Sequence, residues 1–350
     1  VSDTSGNSSQ FSIEVSETPT SILYVATNGN DGTGDGSEAS PYATIAKAID
    51  TALENYVVVL KAGTYEEKVD LGGKKITLAS QYLTTNDTSY ISSTILNGSG
   101  NGTVVTFNSG EDSTSKLTGF TITNGSSADG GGIICNGSSP SLQYLNITGN
   151  SSSNSGGGIY CYNGSNPIIT YSEISNNEAN YGAGIAVSTN SSPKITKTIF
   201  FRNTSSYGGA VYVFKSTPML ENVTITKNIA EDGGGFYLNN SSTVEVSNSI
   251  IYYNGKYEVS AGTAGGETGD NIFKVSHSNV NDDDLNFTSL SYDWLEGNVS
   301  FTPSFIDTAN NNYQLSWGSP AIDSGDPDSP MDPDTTIVDM GVYYYNQIDL

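Results

Sequence analysis

The chain has 350 residues and a formal net charge of −24, with 37 Asp and Glu against 13 Lys and Arg. So acidic a protein is not drawn to nucleic acid or to an anionic bilayer, and no apolar run is long enough for membrane insertion. Acidic excess together with abundant Asn, Ser, Thr, Gly and Tyr fits a soluble, secreted, extracellular or cell-surface protein, with calcium as the expected cofactor.

Residues 1–20 read as a polar tail in which Phe11, Ile13 and Val15 alternate with Ser12 and Glu14, the pattern of one short strand. Such a strand suits addition to an exposed sheet edge, on its own chain or on another copy. The segment from Ala43 to Asn55, with Ile45, Ala48, Ile49 and Leu53 apolar, predicts a short amphipathic helix that caps the domain formed by residues 21–350. Strands are predicted at Tyr56–Leu60, Ile76–Leu78, Val104–Phe107 and Leu117–Ile122.

From about residue 130 the sequence repeats. The apolar residue after each glycine-rich head is Ile133, Ile159, Ile185, Val211 and Phe236, at spacings of 26, 26, 26 and 25. Two residues on runs a second column, Cys135, Cys161, Val187, Val213 and Leu238. Leu142, Ile169, Ile195, Leu220 and Val246 form a third, and Ile147, Ile174, Phe200, Ile225 and Ile251 a fourth. Three residues after each of the last stands an Asn, at 150, 177, 203, 228 and 254. Strand alternation inside a fixed period means a solenoid, because one unit cannot bury its apolar side alone. The reading is all-β, a single-stranded parallel β-helix with about 26 residues and three short strands per coil. Asn at each corner is expected to adopt the left-handed conformation and bond its stacked neighbour.

Cys135 and Cys161 fall one coil apart on an inward column, either as buried thiols or as an inter-coil disulfide. After Asn254 the period loosens, with an acidic loop at Asp282, Asp283 and Asp284. The Asp- and Pro-rich C-terminus is expected to close the far end of the solenoid as an irregular acidic cap. Asn-x-Ser/Thr triplets at Asn124, Asn146, Asn163, Asn203 and Asn222 follow from Asn- and Ser-rich turns, or are glycosylation acceptors if the source glycosylates.

The stretch YVATNGNDGTGDGSEASPYATIAKAID, Gly63–Tyr65, the GGGI coils and the closing SPAIDSGDPDSPMDPD…VDMGVYYY resemble secreted right-handed β-helix repeat proteins of the choice-of-anchor type. The resemblance implies a right-handed helix, a pectate-lyase-like architecture and a place outside the cell. Thr335 and Thr336 stand where the familiar Gly would follow Asp334, which departs from a calcium loop built on a Gly turn.

Candidate site residues fall in four groups. Tyr160, Tyr212 and Tyr237 form an outward column and Tyr181 and Tyr207 precede glycine heads, giving a face able to stack on sugars or pack on protein. Asp323, Asp326, Asp328, Asp332 and Asp334 are the candidate calcium ligands. If the protein is a lyase, Arg202 and Lys227, in equivalent positions, are the candidate bases. Phe11, Ile13 and Val15 are the candidate assembly residues. The favoured reading is an extracellular structural or adhesive protein that assembles head-to-tail with other copies of itself into filaments. The alternative is a carbohydrate-active β-helix that cleaves or binds a polysaccharide.

Overall fold

The computed structural model describes residues 21–262, 270–286 and 288–347. Phe11, Ile13 and Val15 therefore lie outside the described residues. The chain winds as a right-handed parallel β-helix of about 26 residues per coil, which bears out the sequence reading. One coil shows the plan. Ile159–Tyr162 belongs to a first sheet, Ile168–Thr170 to a second, Glu173–Ser175 to a third and Glu178–Tyr181 to a fourth. These sheets contain 8, 11, 9 and 5 parallel strands.

The regular coils thus have four strands, not three, the fourth sheet running only from Ser126–Asp129 to Ile229–Asp232. The fourth sheet escaped the apolar pattern because its inward positions are small or polar, Ser152, Ala179, Ser205 and Ala230, each no more than 8% exposed. The single strand expected over 117–122 is likewise two, Lys116–Thr118 and Thr121–Thr123, parted by Gly119 at φ +82°.

Register is the predicted one: Ile133 pairs with Ile159, Ile159 with Ile185, Ile185 with Val211 and Val211 with Phe236. All five are fully buried, as are the columns through Ile147 and Cys135. Cys135 and Cys161 face each other as free, buried thiols. The glycine heads exist because backbone lies on backbone there. A Cβ on Gly158 would stand 2.6 Å from the carbonyl oxygen of Gly184.

The Asn column is a continuous buried ladder. The side-chain N–H of Asn150 donates to Oδ1 of Asn177 (3.1 Å), Asn177 to Asn203 (3.0 Å), Asn203 to Asn228 (2.9 Å) and Asn228 to Asn254 (2.9 Å). Each backbone N–H donates to the same oxygen as its side chain, and each Nδ2 also reaches a carbonyl of the preceding coil, such as Ile174 for Asn203. The left-handed corner is one residue earlier than predicted, at Gly149, Asn176, Arg202, Lys227 and Tyr253. The ladder Asn therefore turns inward, where the corner residue cannot.

Past Asn254 the ladder ends on a carboxylate. Glu258 is fully buried; its Oε1 accepts from the backbone N–H of Asn254 and its Oε2 from the Asn254 side chain (2.6 Å). Burial pushes its pKa up to about 8, and nearby Asp284 adds to the shift.

At the N-terminal end the helix Ile45–Thr51 buries Ile45, Ala48 and Ile49 against the first coils. Thr44 caps it by accepting the Lys47 N–H, and the Glu67 carboxylate accepts from Ile45 and Ala46. The C-terminal segment does not close the opposite end. It folds back along the outer face of the third sheet, because that face carries apolar residues that need cover. Ile250 packs with Leu315, Ala321 and Met340, and Ile199 and Phe201 with Tyr313.

Two predictions follow from the ladder. Asn203→Ala orphans buried N–H groups of Asn177 and is expected to cost at least about 2 kcal/mol in chemical denaturation. An unchanged midpoint would mean that the ladder contributes nothing. For Glu258 the folded pKa is raised, so its contribution is complete below the unfolded value and is lost as pH climbs through about 8. Glu258→Gln should therefore gain in melting temperature relative to the parent as pH rises from 5 to 9; a constant difference across that range counts against it.

Candidate functional site

The proposed aromatic face is present but differently disposed. Tyr212 and Tyr237 stack at 6.0 Å and 7°, Tyr181 and Tyr207 at 5.6 Å and 14°. Tyr181 tilts onto Tyr212 and Tyr207 onto Tyr237, both at 5.0 Å between centroids. Tyr160 stacks on Tyr162, a partner the sequence did not single out, and its hydroxyl meets Ser188 at 3.1 Å. The four central rings thus spend their faces on one another along the seam between the fourth and first sheets. Burial raises the Tyr237 pKa to about 12. A sugar stacking on ring faces would have to compete with the seam itself.

Arg202 and Lys227 stand in adjacent coils, as expected, with left-handed backbones that throw their side chains outward. Both are engaged by the C-terminal segment. Lys227 Nζ donates to the Thr308 carbonyl at 3.0 Å and lies 5.9 Å from the centroid of the Tyr313 ring, and Arg202 Nη2 reaches the Ala309 carbonyl at 3.5 Å. The geometry gives these cations a clamping role.

The acidic candidates are likewise part of the covering segment. The Asp332 carboxylate accepts the Asp339 N–H, and Asp334 accepts from Thr336 and from the backbone of Gln347. Asp323 accepts from the Gln347 side chain, and Asp326 from the Asp328 N–H. Their hub is Asp339, which the sequence reading did not select: it accepts from the N–H groups of Asp323 and Tyr345. Among the described residues no group of three or more His, Cys, Asp or Glu is arranged to hold a metal ion. The carboxyls of this cluster serve as acceptors for the segment's own backbone. Burial lifts Asp332 to about 6 and Asp339 to about 7, with neighbouring carboxylates adding to both shifts.

A concave surface that the sequence reading missed lies on the outer face of the second sheet. Lys194, Met219, Glu245 and Lys274 are register partners in successive coils, so they form one column along the helix axis. Thr196, Glu221, Ser247 and Ser276 form the next. Inward neighbours Ile195, Leu220, Val246 and Val275 are buried. The groove has a volume of about 360 Å³, with Met219 and Leu295, each about half exposed, as its apolar surface. Lys194 pairs with Glu221 at 3.6 Å and Lys274 with Glu245 at 3.2 Å. These are exposed pairs of little worth to stability, so both partners can exchange each other for a ligand at small cost. Alternation alone marks such residues as outward, but it cannot say which outward face is concave.

The sequence pattern of the right handed beta helix region matches residues 79–251 and again 131–302, together more than half of the chain. The chain belongs to the right-handed β-helix family. Among solved structures this β-helix is similar to the pectate lyase Pel9A, at 14% identity and a TM-score of 0.56, covering 94% of this chain and 97% of that one. It also matches a pectin methylesterase in complex with a hexasaccharide, at 12% identity and a TM-score of 0.43, with 87% and 94% covered. A third match is the pectin methylesterase from carrot, at 14% identity and a TM-score of 0.39, with 80% and 83% covered. At these identities the likeness to Pel9A speaks for fold alone. No protein among those of curated function matches in sequence.

The C-terminal segment of this β-helix should be held more tightly in acid. Asp332 and Asp339 have raised pKa values, so their contribution is complete below the unfolded carboxylate range and falls away as pH passes 6 to 7. Cleavage within residues 318–337, by a protease adjusted to equal activity on a free peptide, is expected to be faster at pH 8 than at pH 5. Equal rates would show that the two carboxyls do not govern docking.

Proposed function

We propose that this protein is an extracellular carbohydrate-binding β-helix that lays an extended polysaccharide along the outer face of its second sheet. The observation that carries the reading is the groove, where in-register columns repeat hydrogen-bonding groups about every 4.8 Å beside an apolar surface. Such a face matches a linear chain of sugar rings, whose apolar faces would lie on Met219 and Leu295. Hydroxyls would meet Glu221, Glu245, Lys194 and Lys274. Binding is favoured over cleavage because the carboxyls displaced furthest upward, Glu258, Asp332 and Asp339, belong to the ladder and the covering segment. Arg202 and Lys227 are engaged there too.

The structural or adhesive reading, with head-to-tail assembly, rests on the alternation of Phe11, Ile13 and Val15. Sedimentation of the chain with and without residues 1–20 addresses it separately.

Affinity electrophoresis through gels containing polygalacturonate, xylan or alginate tests the binding reading. At least one polymer should retard the protein, and Met219→Asp with Leu295→Asp should weaken that retardation about tenfold or more, a loss of about 1.4 kcal/mol. Both positions are exposed, so folding should be preserved. Free migration in every gel, or equal retardation of the double variant, would overturn the proposal.

A further inference from the structure

The charges along the groove are ordered as well as paired. Lys194, Glu221, Glu245 and Lys274 stand on four successive coils, so two outer cations flank two central carboxylates. The lysines are three coils apart, about 14 Å at the spacing of neighbouring strands. Two positive and two negative charges cancel, so the formal net charge of −24 lies outside this stretch. Each of these cations already has a carboxylate, Lys194 in Glu221 and Lys274 in Glu245.

Toward lower residue numbers the same face continues without charge. Ile168 precedes Lys194 in one column, and Gln143 and Thr170 precede Thr196 in the other. Ile168 is 40% exposed and stands two coils, about 10 Å, from Met219. The Thr196 hydroxyl donates to that of Thr170 at 3.0 Å. This end is an apolar platform flanked by hydroxyls.

A polyuronate carries a carboxylate on every ring. Laid along the groove, it would bring carboxylates beside Glu221 and Glu245, and like charges set against each other are a strong bar to binding. A neutral ring meets the same two side chains differently, since its hydroxyls donate and a carboxylate accepts. We infer that the ligand of the groove is an uncharged polysaccharide, that Glu221 and Glu245 select against an acidic one, and that the bound chain runs on to Ile168. The inference rests on the groove being the binding face and adds the class of polymer it takes.

Affinity electrophoresis with two neutral polymers, unsubstituted xylan and glucomannan, and two acidic ones, polygalacturonate and alginate, tests it. At least one neutral polymer should retard the parent about fivefold or more beyond either acidic one. Long-range repulsion from an acidic protein would itself favour neutral polymers, so the deciding variant is Glu221→Gln with Glu245→Gln. It moves the net charge only from −24 to −22, yet leaves Lys194 and Lys274 without these carboxylates. Retardation by polygalacturonate should then rise about fivefold or more over the parent. Ile168→Asp, at an exposed position, should weaken retardation by the neutral polymer about fivefold. A cooperative melt for each variant shows that it is folded. Retardation of the parent by an acidic polymer as strong as by a neutral one, no gain in the double Gln variant, or no loss in Ile168→Asp would overturn the inference and leave the groove standing as a binding face. Free migration in every gel would overturn both.

Discussion

Each coil is hydrogen-bonded to the next in register, so whatever stands at one place meets its own equivalent about 26 residues later. For apolar residues this is undemanding, since Ile on Ile packs well inside a sheet wall. For a buried polar group it is severe, because the group must find its partner in its own image. Asn solves the problem with one donor side and one acceptor side, and Ser does so at a second corner. There the N–H of Ser138 donates to Ser165 Oγ, that of Ser165 to Ser191 and that of Ser191 to Ser216. The Ser ladder starts at Glu111. Burial works against charge there, yet N–H groups of Ser109 and Gly73 and the Ser138 hydroxyl hold the carboxyl below its usual range.

Much of this was legible because period and alternation are properties of the chain itself. The inward columns through Ile133, Cys135, Leu142 and Ile147, the capping helix and the Asn column were all readable from spacing. The fourth sheet was not, since Ser152 and Ala179 carry no apolar signal and their strands form by pairing alone. Nor was the position of the left-handed corner, which a one-residue ambiguity between Arg202 and Asn203 conceals. Only the buried ladder requires Asn, and the corner tolerates Gly, Asn, Arg, Lys or Tyr.

The candidate site was less legible than the scaffold for a related reason. Charge and aromaticity draw attention in a sequence, yet here they serve cohesion: tyrosines consume each other's faces, and Arg202 and Lys227 hold the returning C-terminal segment. Two concave surfaces arise from ordinary residues in unusual relief. One lies between the Lys194–Glu221 and Lys274–Glu245 pairs beside Met219, and the other at the four-residue turn 215–218. The irregularity was visible as a number, but its shape needed the flanking turns.

Glu258 gives the repeat a terminus in a way that an Asn could not. Every Asn in the ladder passes its demand to the following coil, so the series has no natural last member. The two carboxyl oxygens accept from Asn254, and the neutral form that burial favours carries one O–H in place of the amide's two N–H groups. Chemically it is a full stop. The length of the ladder is thus set by one side chain and the length of the solenoid is not, since strands after Glu258 extend the first, second and third sheets.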